Sequence, residues 1–128
     1  MTKSFLEKVE SQERKVLAID FDGVIHKNSL GFHDGTVYDE PITGSLDALR
    51  ELSKEYEIII FSCKALEDRP LIEGKTGIQL IEEWLSKYNV LKYVKEVTFR
   101  KPRAYLYIDD KGYRFQNWKD SIDFIRRK

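Results

Sequence analysis

The chain has 128 residues, 41% hydrophobic and 34% charged, which supplies apolar material for one packed core and excludes a generally disordered chain. Lysine plus arginine equals aspartate plus glutamate at 22 each, excluding a global field of one sign that would draw the protein to nucleic acid or an anionic membrane. No run approaches the roughly 20 apolar residues of a membrane helix, the start MTKSFLEKVESQERK is too polar for a signal peptide, and the single Cys63 excludes an internal disulfide or a multi-cysteine zinc site. A single cytoplasmic domain over residues 1–128 is expected, with Cys63 a small buried side chain.

After a short amphipathic start carrying Phe5, Leu6 and Val9, the run KVLAID from Lys15 to Asp20 reads as a buried strand that ends abruptly in DFDG. Residues 31–41, GFHDGTVYDEP, show no sustained period and predict a loop or small hairpin flap. Leu46, Leu49 and Leu52 recur at helical spacing, with Thr43 or Ser45 as the N-cap. EIIIFS, Glu57 to Ser62, predicts a second buried strand, and Ile78, Ile81, Trp84 and Leu85 predict a helix over about 77–88 that stops at Asn89. A third strand is expected at 96–99, a fourth over 104–109, and a closing helix carrying Trp118, Ile122 and Ile125.

This alternation predicts an α/β fold, a Rossmann-like three-layer sandwich with a central, mainly parallel sheet, helices on both faces and no cap domain. In such sheets the ligand chemistry gathers at the strand C-termini. That edge is where Asp20, Asp22, Ser62, Asp109 and Asp110 fall. Carboxylates crowded there repel one another, so a positive partner is required, and all-oxygen ligands favour magnesium over zinc.

Four motifs in order give the chain a resemblance to the haloacid dehalogenase-like phosphohydrolases, of a small capless type: DFDGV at 20–24, Ser62 closing IIIFS, Lys101 in RKP, and the pair Asp109 and Asp110 closing YLYIDD. The resemblance implies that Asp20 attacks phosphorus to form an aspartyl-phosphate, and that Asp22 is the general acid and base. It implies that Ser62 and Lys101 contact the phosphoryl group, the lysine offsetting its charge. Magnesium would be held by Asp20, the carbonyl of Asp22 and Asp110, with Asp109 acting through water. Gly23 would turn the chain tightly after the nucleophile and leave room for the phosphate.

Relatives with a similar second motif often carry arginine where this chain has Lys64, so Lys64 has no role assigned by resemblance, and neither do His26, His33, Tyr38, Asp39 or Arg69. The intervals from Asp20 to Ser62 and from Ser62 to Lys101 leave no room for a cap. By resemblance an open site favours a bulky phosphorylated substrate, such as a macromolecule or a sugar-like chain end, or a lid from another subunit. A polynucleotide end phosphatase is an alternative that the neutral charge disfavours. A non-catalytic phospho-ligand binding domain is another, as is a phosphoacceptor switch, although receiver domains place the acidic pair first and the acceptor aspartate later.

Overall fold

The computed structural model describes residues 15–109 and 113–127. The amphipathic positions 5, 6 and 9 and Asp110 lie outside the described residues. Four strands, β1 (Val16–Asp20), β2 (Glu57–Phe61), β3 (Glu96–Thr98) and β4 (Leu106–Asp109), are joined by a two-residue β5 (Tyr113–Arg114) in the order β3-β2-β1-β4-β5. Every pairing is parallel. With α1 (Ser45–Leu52), α2 (Gly77–Lys87) and α3 (Trp118–Arg127), this is the expected α/β sandwich on a parallel sheet without a cap.

Strand side chains alternate across a sheet. Leu17 and Ile19, Ile58 and Ile60, and Leu106 and Ile108 therefore share one face of the sheet, and all six belong to the buried core that also holds Leu49 of α1, Ile81 and Leu85 of α2, and Ile125 of α3. Each is essentially removed from water, worth about 1.5–3 kcal/mol per side chain. The intervening residues Asp20, Phe61 and Asp109 stand outside that cluster. The segment 99–105 returns from β3 to β4 without a helix.

The helix ends differ from the sequence expectation in one place. The N-cap of α1 is Gly44, in the left-handed region at φ 85°, rather than Thr43 or Ser45. Trp118 packs against this turn, and a Cβ on Gly44 would come within 3.3 Å of its Cβ, so the chain enters α1 through a residue without a side chain. Ser45 becomes the first helical residue, and its buried hydroxyl has no partner among the described residues. For α2, Thr76 accepts from the Gln79 N–H at 3.1 Å while Gln79 accepts from the Thr76 N–H at 2.9 Å, a capping box worth about 1 kcal/mol. Asn89, at φ 62°, ends α2 as expected.

Gly77 begins α2 directly against the turn that follows β2. A Cβ there would lie 1.6 Å from the Lys64 carbonyl oxygen. The backbone of α2 thus fixes the turn carrying Ser62 and Lys64. Cys63, expected to be buried, is exposed: it opens the short 3-10 turn Cys63–Ala65, whose neighbouring Ser62 and Lys64 take the inward positions.

Both tryptophans, read from the sequence as helix core, also anchor loops. Trp118 Nε1 donates to the Val24 carbonyl at 3.0 Å, holding the turn after β1. Trp84 Nε1 donates to the Asp39 carbonyl at 2.8 Å, holding the flap. No helix among the described residues is long and apolar enough to cross a membrane.

Candidate active site

The sheet register fixes the site. Asp20 pairs with Phe61 and Phe61 with Thr98, so one row crosses β1, β2 and β3; on the other side Ile19 pairs with Ile108, which brings Asp109 beside Asp20 at the ends of adjacent strands. The chain then turns back on itself, because Val24, Ile25 and His26 all donate their N–H to the Phe21 carbonyl. Gly23 sits in that turn at φ 81°, a conformation glycine adopts at little cost. A Cβ on it would meet no atom within 4 Å, so the demand for glycine shown here is conformational.

This turn carries Asp22 under the end of β2. Its Oδ2 accepts from the Ser62 hydroxyl at 2.9 Å, and its Oδ1 accepts from Lys64 Nζ at 3.0 Å and from His26 Nδ1 at 3.1 Å. The far nitrogen of the imidazole, Nε2, accepts from the Asp39 N–H at 2.9 Å, which assigns the ring proton to Nδ1. Burial alone would push the Asp22 carboxyl up. The hydrogen bonds from His26 and Lys64, the charge of Lys64 and the hydrogen bond from Ser62 outweigh burial and hold it below its ordinary 3.8.

Lys64 and His26 are fully buried. Lys64 Nζ also donates to Asn28 Oδ1 at 3.1 Å and lies 5.3 Å from the centre of the Tyr38 ring. The two residues therefore join the strand-end edge to the flap, whose loop spans 27–41 rather than the expected 31–41. The flap is closed at its base by the bonds Lys27 N–H to Glu40 O and Ile42 N–H to Ile25 O. Arg69 braces it from outside, with its guanidinium 4.3 Å from the centre of the Phe32 ring and Nη1 donating to the Lys64 carbonyl at 3.3 Å. His33 is exposed and touches Tyr38 edge-on.

On the opposite side of Asp20, Lys101 forms an ion pair with the buried carboxylate of Asp109 and lies over the rings of Tyr107 and Phe61. Asp20 thus stands between two acids that each already face a lysine. A search of protein-family models, curated proteins and solved structures finds no match to this chain. The site comprises a carboxylate at a strand end, flanked by an ion pair on each side, with a hydroxyl and a lysine at the same edge.

Of the residues singled out in the sequence, Asp20, Asp22, Ser62, Lys101 and Asp109 come together at this edge, and Asp110 lies outside the described residues. His26 and Lys64 are the two the sequence left without a role. The available signal was spacing: His26 is four residues after Asp22 across a glycine turn, and Lys64 is two after the strand-ending Ser62.

The flap has its own acid-sensitive joint. Asp39 accepts from the Ser29 hydroxyl and N–H and from the Glu40 N–H, and these bonds pull its carboxyl from 3.8 to about 2. A carboxyl depressed in the fold stabilises it fully above its unfolded value of 3.8 and loses that contribution as pH falls toward about 2. Asp39→Asn is therefore expected to be less stable than wild type at neutral pH and indistinguishable from it once the pH is below about 2. Chemical unfolding of both chains across that range checks this, and a gap that persists at low pH would show that the Asp39 charge is not its source.

Proposed function

We propose that this chain is a magnesium-dependent phosphohydrolase that transfers the phosphoryl group of a phosphomonoester first to Asp20 and then to water. The reading rests on one observation: Asp20, Asp22, Ser62, Lys101 and Asp109 converge on the carboxyl edge of three adjacent parallel strands, in the chain order of the haloacid dehalogenase-like motifs that the sequence resembles.

In the first step a carboxylate oxygen of Asp20 forms a bond to phosphorus as the bond from phosphorus to the leaving oxygen breaks. The leaving oxygen keeps the electron pair and takes up a proton. In the second step water attacks the same phosphorus, gives a proton to Asp22, and releases inorganic phosphate and the Asp20 carboxylate. Ser62, whose hydroxyl can rotate, donates to a phosphoryl oxygen, and Lys101 offsets the charge that develops there.

Asp22, held by three donors, is the ionised acceptor required in the second step. In the first step it must carry a proton before it can deliver one. Leaving groups that depart as weakly basic oxyanions depend on that proton least.

The donor set fits magnesium. By the resemblance Asp20, the Asp22 carbonyl and Asp110 would hold it, with Asp109 acting through water, and it would supply positive charge beside the phosphoryl oxygens. Among the described residues no three His, Cys, Asp or Glu converge to cage an ion, and magnesium, which keeps several waters, does not require such a cage.

The test is hydrolysis of an aryl phosphate, an ester with a weakly basic leaving group, by the purified chain. Turnover is expected with magnesium and is expected to be lost with EDTA and restored when magnesium is returned. Turnover that EDTA leaves untouched would remove the metal from the proposal.

A further inference from the structure

Beside the catalytic edge is a recess of about 320 Å³ between the segment 66–68 and the end of β3. This is the size at which small-molecule sites begin. We infer that it receives the leaving group of the phosphoryl donor and selects a flat ring that carries hydroxyl or amino groups. The inference rests on the phosphohydrolase reading.

Thr98, in the wall of the recess, stands in the register row Asp20, Phe61, Thr98, two strand spacings or about 10 Å from the nucleophile's strand. The Ser62 N–H donates to the Thr98 carbonyl at 3.1 Å, and Lys101 directly follows Arg100 of the lining. An ester whose phosphorus meets Asp20 has its body in reach of this recess, and no cap domain stands in the way.

Leu66 and Phe99 line the recess and remain 37% and 40% exposed, next to the half-buried Ile78. A flat ring laid against them removes apolar surface from water on both partners and gains the offset or edge-on contact that aromatic rings prefer. The charged lining is Glu67, Asp68 and Arg100. Two carboxylates accept from hydroxyl or amino groups, and they outnumber the one guanidinium, which disfavours a leaving group bearing a second phosphate. A small aliphatic ester reaches none of these groups.

The test compares two primary alkyl phosphates, adenosine 5′-monophosphate and glycerol 3-phosphate, whose leaving alkoxides are of the same type, so that a difference reports contacts rather than leaving-group chemistry. With magnesium and the full chain, adenosine 5′-monophosphate is expected to have a kcat/KM at least about 10-fold higher. Phe99→Ala should erase most of that advantage, raising KM for adenosine 5′-monophosphate by far more than for glycerol 3-phosphate. Equal kcat/KM for the two esters, or an equal loss for both in Phe99→Ala, overturns the assignment.

Adenosine itself, without phosphate, gives a readout independent of turnover. It should bind the wild-type chain in NMR titration and bind Phe99→Ala at least about 10-fold more weakly. No hydrolysis of any ester would overturn the phosphohydrolase reading, whereas absence of adenosine binding overturns the recess assignment whether or not hydrolysis is seen.

Discussion

Asp20→Asn is expected to lower kcat for an aryl phosphate by at least about 10⁴-fold in the presence of magnesium, with the fold retained. The amide is nearly isosteric with the carboxylate, but it has no anionic oxygen to attack phosphorus, so the covalent step is lost while the surroundings keep their shape. The flanking pairs, Asp22 with Lys64 and Asp109 with Lys101, do not involve Asp20 and should persist. Steady-state kinetics beside a thermal unfolding curve separates the cases. Loss of turnover in a chain that unfolds as wild type does is the expected result. Turnover that survives the substitution would mean that another group is the nucleophile or that a contaminating phosphatase is being measured.

The parts legible in the sequence were those fixed by short-range periodicity. IIIFS and LAID are apolar runs because their strands are covered by neighbours in a parallel sheet, and each ends at the polar residue that closes it, Ser62 or Asp20. Alternating strands and helices set the order of the layers, and strand ends then marked Asp20, Ser62 and Asp109 as a group.

What remained illegible depends on partners distant in sequence. The burial of Lys64 requires Asp22, 42 residues earlier, to face it. On sequence grounds a lysine after a strand reads as a solvated terminus. His26 is buried because Phe21 stacks on one side and Trp84, from α2, meets it edge-on, neither of which spacing reveals. The N-cap of α1 turned on Trp118, far along the chain, which favours a glycine where local propensity favours Thr43 or Ser45. The exposure of Cys63 has a related cause: alternation stops at the end of β2, and the turn that follows reverses which residues face inward.

Lys64→Met is expected to destabilise the fold by about 3 kcal/mol, because it strands a mostly buried carboxylate that has lost its cation. Asn28 loses a donor at the same time, so the attachment of the flap to the strand-end edge weakens as well. The companion variant Asp22→Asn removes the charge from the other side, and the double variant should cost clearly less than the sum of the two singles, with a coupling of about 1–3 kcal/mol in a double-mutant cycle. Additive effects would mean that the pair does not hold the site together. Kinetics of Lys64→Met then distinguish two roles for the lysine. A residue that contacts the phosphoryl group contributes to binding, so its loss raises KM. Lys64 is instead occupied by Asp22, Asn28 and the Tyr38 ring, so its loss should lower kcat by about 10- to 100-fold at nearly constant KM, with Lys64→Arg recovering part of that loss. A rise in KM alone would place the lysine on the substrate and detach it from the positioning of Asp22.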